Sequence, residues 1–518
     1  DGIRDAQESP GLGDVYKRQL QYPPLIQWSI MIVAGVMYGG LIGLIPAAGP
    51  SKALILLFVI VNHFDFTGGD YLFVLFSITT VVAASTGDSF ASVLIGIPGA
   101  MGSAATMLDG FPLAKQGKAS YALSAAITTS TVNGLFWGVI AFMIIPYYQY
   151  VIKYVQVPEI FALVILAFCL ISAVTTNHMF RSFVAIGVGS FVGLIGIDIL
   201  GNPRFVFGLE YLEDGIPIII VAAGLFAIPE LYEALMLNSK QEKMDRKTHN
   251  KQTWDGIKEV WTHKWLALQG GAIGMVVGML PGTSGGIGDW TAYSTTVSQY
   301  KNEKIPFGKG NIKGVIGPEG ANNSGKAGAL IPTLLFGIPG GKAMVILMAL
   351  WMSLGFHVDN IELMTSDKFI NHIFGGFLVG TLLTGIVCLV FTRYISKVVY
   401  FPARYWVTPL FLLTIWAVVA SRYYVYLYED ILTLGIFGVL GFVMSKYKFS
   451  RPAFLMSFIL AERFEGSFYQ TIGIFEISEL IVRPIFVTLI FASIGSVSYT
   501  HLRAHETPEH LVCRLLLE

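Results

Sequence analysis

Residues 278–286 read GMLPGTSGG and residues 43–50 read GLIPAAGP, each placing proline and glycine directly after an apolar run. A second pair follows in the same order: GIPG at 96–99 and GIPG again at 337–340, so the two offsets are about 235 and 241 residues. Backbone N–H and C=O groups left unpaired in hydrocarbon are costly, so a break in a membrane helix is tolerated only against protein or a water-filled cavity. Paired Gly/Pro interruptions at matching places in two halves of a chain are a sequence pointer to a transporter's binding site. The expected fold is therefore an all-α polytopic membrane protein. Its two repeated halves, taken as inverted, would carry broken or re-entrant helices.

Composition agrees. Of 518 residues, 54% are hydrophobic and 13% charged, against roughly 25% charged in soluble domains. Mean hydropathy is +0.64, and 56 glycines suit helices packed closely in lipid. The 34 basic and 34 acidic residues cancel, which removes a general case for nucleic-acid binding by a basic surface. Three cysteines with no close pair exclude a disulfide framework and a CxxC site. No Walker A pattern occurs, so the chain itself has no P-loop for ATP hydrolysis.

Apolar stretches near the roughly 20 residues needed to cross a bilayer are clearest at 25–45, 121–145, 158–175, 180–200, 216–237, 369–391, 407–425 and 431–444. With shorter or interrupted stretches added, about 10–12 membrane segments are expected. A polar stretch, 239–264, divides the chain between repeats at 20–238 and 265–496. It carries Lys240, Lys243, Arg246, Lys247, Lys251, Lys258 and Lys264 against four acids, which places it in the cytoplasm as a linker. Residues 1–19 and 497–518 are polar, lack the character of the rest, and read as non-native extensions. The HETPEH within the second lacks the HExxH spacing of a zinc site.

Half-helix N-termini present free N–H groups and a positive dipole end, suited to a carboxylate. Four breaks are expected, at 46–50, 98–99, 281–286 and 339–341, and small polar residues accompany them. Ser51, Thr86, Ser89, Thr283, Ser284, Asn322, Asn323 and Ser324 are candidate substrate-binding side chains. For any single break, a simple kink is the alternative. Lys52, Lys326 and Lys342 follow these elements closely, either completing an anion site as point charges or snorkelling to an interface. Lys326 is the strongest candidate of the three. Asp88 and Asp289 are candidates for cation coupling, by carrying a proton or ligating Na⁺, with a structural carboxylate as the equal alternative. Glu319 and Asp109 read as exposed or capping residues in polar loops.

Three long segments carry a family resemblance. Residues 87–123 read GDSFASVLIGIPGAMGSAATMLDGFPLAKQGKASYAL, residues 201–231 read GNPRFVFGLEYLEDGIPIIIVAAGLFAIPEL, and residues 307–341 read FGKGNIKGVIGPEGANNSGKAGALIPTLLFGIPGG. In this order they resemble the large membrane subunit, TctA, of the tripartite tricarboxylate transporters, over about 25–490. The resemblance implies a permease of the bacterial inner membrane that imports small organic acids, tricarboxylates or other carboxylates. It also implies a small TctB-like membrane subunit, a periplasmic TctC-like solute-binding protein, and secondary transport driven by Na⁺ or H⁺ with no other cofactor. Gly49, Pro50, Ser89, Pro98, Gly99, Asn322, Asn323, Pro339 and Gly340 carry over as cavity lining. The chain departs from the family at Asp88, where many members have glycine, at Lys52, and at 281–286. Those departures leave the substrate open.

Two rival readings remain. Gly282-Thr283-Ser284-Gly285 fits the GxSG pattern of intramembrane serine proteases, with His357 or His372 as a conceivable base. The other rival is a standalone ion-coupled carboxylate carrier. A non-enzymatic transporter is the expectation.

Overall fold

The computed structural model describes residues 24–45, 49–63, 71–96, 100, 102–147, 154–175, 179–197, 202–229, 231–232, 249–280, 286–301, 303–356, 361–364, 366–398, 404–420 and 425–503. Helices account for nearly all of it. The first part contains α1 (Pro24–Gly43), α2 (Pro50–His63), α3 (Tyr71–Ile95), α4 (Ser103–Lys115), α5 (Ala119–Ile144), α6 (Val157–Thr175) and α7 (Met179–Gly193). A two-residue antiparallel ladder, β1 (Gly196–Ile197) with β2 (Pro203–Arg204), precedes α8 (Ile218–Ala222), which runs on through a π-turn at Ala223–Ala227. Then come α9 (His249–Thr262), α10 (Lys264–Gly278), α11 (Ile287–Gln299), α12 (Lys313–Phe336) and α13 (Lys342–Ser353). The last part is α14 (Ile361–Met364), α15 (Asp367–Val398), α16 (Arg404–Ala420), α17 (Leu427–Lys446), α18 (Arg451–Ile474), α19 (Ile477–Ile481) and α20 (Pro484–Arg503).

Among the described residues, α1, α3, α5, α15 and α17 are long and apolar enough to cross a bilayer, and five shorter apolar helices accompany them. The molecule is an all-α, multi-pass membrane protein. The outer helices present single apolar stripes, such as Ile30, Val33, Met37 and Leu41 on α1, which have no protein against them and suit lipid. One spanning helix escapes a simple hydropathy reading. In α3, Thr79, Thr80, Ser85, Thr86, Asp88, Ser89 and Ser92 interrupt the apolar run, yet α3 is the most deeply buried of the five. Polar side chains at membrane depth turn to protein rather than lipid.

Each expected Gly/Pro break coincides with a helix end. Helix α1 stops before α2, α3 before α4, α10 before α11 and α12 before α13. Gly96 and Gly337, the first residues of the two GIPG motifs, both take a left-handed backbone, with φ of +70° and +62°. This is the conformation that closes a helix and that glycine adopts without penalty. At the second, Ile338 donates its N–H back to the Pro332 carbonyl at 3.2 Å. Residues 46–48, 97–99 and 281–285 within the breaks lie outside the described residues, as do 1–23, the first part of the basic linker (239–248) and 504–518. The last helix runs across position 497 to Arg503.

The most extensive packing joins α10 to α12 and α1 to α3. Both pairs are built on glycines four residues apart. A Cβ on Gly39 or Gly43 would lie 2.5 Å from the carbonyl oxygen of Thr80 or Ala84, and one on Gly274 or Gly278 within 2.5 Å of Ala321 or Gly325 backbone. Close backbone approach of this kind replaces the hydrophobic drive that lipid cannot supply between helices. Helix α3 also packs on α15, α12 on α5, and α5 on α15, which makes a central group of four helices. On one flank α7 packs on α18 and α20 on α6, where the buried carboxylate of Glu159 meets Arg483 at 3.1–3.2 Å.

Candidate functional site

The polar centre of the molecule lies where α3 faces α12. In α12 the residues Glu319, Asn322, Asn323 and Lys326 recur at i, i+3, i+4 and i+7, and in α3 Ser85, Asp88, Ser89 and Ser92 do the same. At 3.6 residues per turn each set lies along one helix face. The glycine stripes that let α1 and α10 approach sit on other faces, leaving these two polar stripes to meet.

Glu319 is the hub, and it is 1% exposed. Its Oε1 accepts the hydroxyls of Ser89 at 2.8 Å and of Thr106, from α4, at 2.9 Å. Its Oε2 accepts the Asn322 amide at 3.1 Å, and that amide donates also to the Ser85 carbonyl at 3.1 Å. Lys326 donates to the other end of Asn322, Oδ1, at 2.5 Å. On the adjacent position, the Asn323 amide donates to Thr86 Oγ1 at 3.1 Å, and its side chain lies against Gly134 of α5. Asp88, 3% exposed, interacts electrostatically with Lys326, Glu319 and Asp289. Asp289, on the first turn of α11, lies against Gly102 at the start of α4. Three buried oxygens of this centre have no hydrogen-bond partner among the described residues: Asp88 Oδ1, Ser85 Oγ and Asn323 Oδ1.

The arrangement offers buried neutral O–H and N–H donors, orphaned buried oxygens, and one half-buried ammonium. Such groups suit reversible binding of a carboxylate beside a monovalent cation or proton. Among the described residues no three His, Cys, Asp or Glu side chains converge as a metal-ligand set.

The sequence candidates divide as follows. Thr86, Asp88, Ser89, Asp289, Asn322, Asn323 and Lys326 come together here. Ser324 does not. Its hydroxyl returns to the Gly320 carbonyl at 2.9 Å on the face toward Gly274 of α10. Gly49, Pro50, Ser51 and Lys52 open α2, which packs on α3, α13 and α16. Pro339 and Gly340 are buried between α12 and α13, and Gly340 fits against Ala329 and Gly278 where a Cβ would collide. Lys342 sets its ammonium over the Phe226 ring, 4.6 Å from the centroid. Pro98, Gly99, Thr283 and Ser284 lie outside the described residues.

Two readings need correction. Glu319 and Asp109, expected in polar loops and exposed or capping, both lie inside helices and are 1% and 0% exposed. Asp109 does cap, but from a buried position on another helix. Its Oδ1 takes the backbone N–H of Gly308, Gly310 and Asn311 at 2.8–3.0 Å, and its Oδ2 takes the Tyr293 hydroxyl at 3.0 Å. The density of Gly, Pro and Asn around Glu319 imitates a loop, whereas in a membrane helix glycine and proline are tolerated. The i, i+3, i+7 spacing of Glu319, Asn322 and Lys326 was the available signal. Ser85 and Thr106 belong to the centre as well.

The model of the tripartite tricarboxylate transporter TctA family matches residues 30–456, which include every residue of this centre. The chain belongs to the TctA family. It is thus a multi-pass membrane component of the tricarboxylate-transporter type, and membership in a transporter family supports a non-enzymatic role. The chain is similar to the "Uncharacterized 52.8 kDa protein in TAR-I ttuC' 3'region" of Agrobacterium vitis, 26% identical over 449 residues, covering 86% of each chain. It is also similar to the "Uncharacterized protein in TAR-II ttuC' 3'region" of the same organism, 26% identical over 192 residues, which cover 37% of this chain and 78% of that one. No solved structure matches it. As for the protease rival, Ser284 and His357 lie outside the described residues, while His372 has Nδ1 2.6 Å from the Lys368 carbonyl and its ring beside Trp28 and Tyr71.

Proposed function

We propose that this TctA-family chain is the permease subunit of a binding-protein-dependent secondary transporter. It imports a small carboxylate across the bacterial inner membrane, driven by a Na⁺ or H⁺ gradient. A small TctB-like membrane subunit and a periplasmic TctC-like binding protein complete the system. The observation that carries this reading is the buried donor set of Ser89, Thr106 and Asn322, with Asn322 oriented by Lys326, brought together from the two sides of the first GIPG break and from the N-terminal half of α12. Those donors hold a substrate carboxylate, and Asp88 and Asp289 serve the coupling ion.

The order of elements supports two repeats, which we take as inverted. The series α1 to α5 and the series α10, α11, α12, α13, α15 each run helix, break, helix, helix, break, helix, helix. The left-handed glycines Gly96 and Gly337 hold equivalent places in the two series. In this scheme the site lies between the repeats, and access alternates as one part of the bundle moves past the other. The basic linker before α10 faces the cytoplasm.

The test is uptake of labelled citrate and a panel of di- and tricarboxylates into proteoliposomes. It is run with and without the cognate binding protein and small subunit, under a Na⁺ gradient, a proton gradient, or neither. Accumulation is expected only with the binding protein and one gradient. Accumulation without the binding protein would make the chain a standalone carrier, and no uptake of any acid would remove the substrate class.

A further inference from the structure

We infer that Glu319 is an internal stand-in for the substrate's carboxylate, seated on the donors that the substrate must take. The inference rests on the reading of this centre as a carboxylate site. The three donors that a buried carboxylate needs are present, and all three are engaged by Glu319: Ser89 Oγ from α3, Thr106 Oγ1 from α4 and Asn322 Nδ2 from α12. The nearby ammonium is spent elsewhere. Lys326 holds Asn322 Oδ1, which turns the amide N–H₂ of that residue toward Glu319.

A buried anion is ordinarily paired with a cation or satisfied by several hydrogen bonds, and Glu319 is held in the second way, by neutral donors only. The same donors would serve a substrate carboxylate in its place, and Asp88 and Asp289, which interact electrostatically with Glu319, would face either occupant. A tethered group competes at the effective concentration set by its short side chain, typically millimolar or above. Glu319 therefore weakens the site for free acids. When a substrate carboxylate displaces it, the two bonds by which Glu319 ties α12 to Ser89 of α3 and Thr106 of α4 break, so occupancy and relative movement of these helices are linked.

The experiment uses the full-length protein in detergent, with thermal unfolding as the readout and acetate as the probe. In Glu319→Ala the seat has lost its occupant, so millimolar acetate is expected to raise Tm, while leaving wild type and the Glu319→Ala/Thr106→Val double variant unmoved. If Glu319→Ala folds and acetate stabilises it no more than wild type, the inference is overturned. Should Glu319→Ala fail to fold, Glu319→Gln keeps the size of the side chain and removes its charge. Labelled citrate should then bind at least about tenfold more tightly than to wild type, as expected on weakening a tethered competitor. Citrate binding unchanged or weaker in Glu319→Gln would overturn it equally. The acetate result is independent of transport. Acetate stabilisation with no uptake of any acid would strike the transport reading alone, and uptake without acetate stabilisation would strike this inference alone.

Discussion

Ser89 and Glu319 stand 230 positions apart in the chain and are joined by a 2.8 Å hydrogen bond at the buried contact of α3 with α12. Ser89 lies seven residues before the first GIPG break, whereas Glu319 lies in the second turn of α12, 18 residues before the second, so the bond joins the end of one interrupted helix to the start of the other. Removing the hydroxyl takes one of two hydrogen bonds from Glu319 Oε1, which keeps that of Thr106, a loss of about 0.5–1.5 kcal/mol. Ser89→Ala should therefore melt below wild type, and should also lower the uptake rate. A melting temperature equal to wild type would mean that the bond contributes nothing.

The glycine stripes make a sharper prediction. A Cβ on Gly278 would sit 2.2 Å from the Gly325 carbonyl oxygen, whereas one on Gly187 meets nothing within 4 Å. Overpacking of this kind costs about 1–3 kcal/mol. Gly278→Ala should reduce the yield and Tm of folded protein while Gly187→Ala leaves both unchanged. Equal behaviour of the two would contradict the close approach of α10 and α12.

At the flank, Glu159 is buried and its partner Arg483 also lies 4.8 Å from the Phe475 ring centroid. Arg483→Met leaves an unpaired buried carboxylate, for which the loss is about 3–5 kcal/mol. Adding Glu159→Gln should recover a substantial part of that loss. A double-mutant cycle on thermal or denaturant unfolding measures the coupling, and additive losses would show that the two charges act independently.

Asp109 fixes the segment before α12 through three backbone N–H groups. Asp109→Ala should speed amide exchange at Gly308, Gly310 and Asn311 far more than within α4 itself. Unchanged protection at those amides would show that the segment is held by other contacts.

Much of this architecture was legible in the sequence, and the limits are instructive. Gly/Pro breaks are local signals, so the four expected interruptions fall where helices end. The family motifs run through the end of α3, α4 and α12 and so include most of the centre, though not Ser85, Thr86 or Asp289. Burial and facing are set by tertiary packing instead. Helix α3 was not among the clearest apolar stretches, because its apolar run is interrupted by hydroxyls and by Asp88, which are buried against protein rather than exposed to lipid. Glu319 looked like a loop residue because Pro318 and Gly320 flank it, although the tight approach of α10 to α12 requires that glycine. Ser324 carries the same polar group as its neighbours but points to the next helix, a distinction of one residue in register.

The most direct test of the central claim is the rate of carboxylate uptake by Lys326→Met, reconstituted with its partners under the coupling gradient. Lys326 is the one ammonium hydrogen-bonded within the donor set around Asn322. A hydrogen bond to a charged group is worth about 1.5–3 kcal/mol, which corresponds to a loss of about tenfold or more in uptake. That loss is predicted for protein that still folds, with a Tm lowered by the same lost bond. Uptake at the wild-type rate by folded Lys326→Met protein would contradict the assignment of this centre to the substrate.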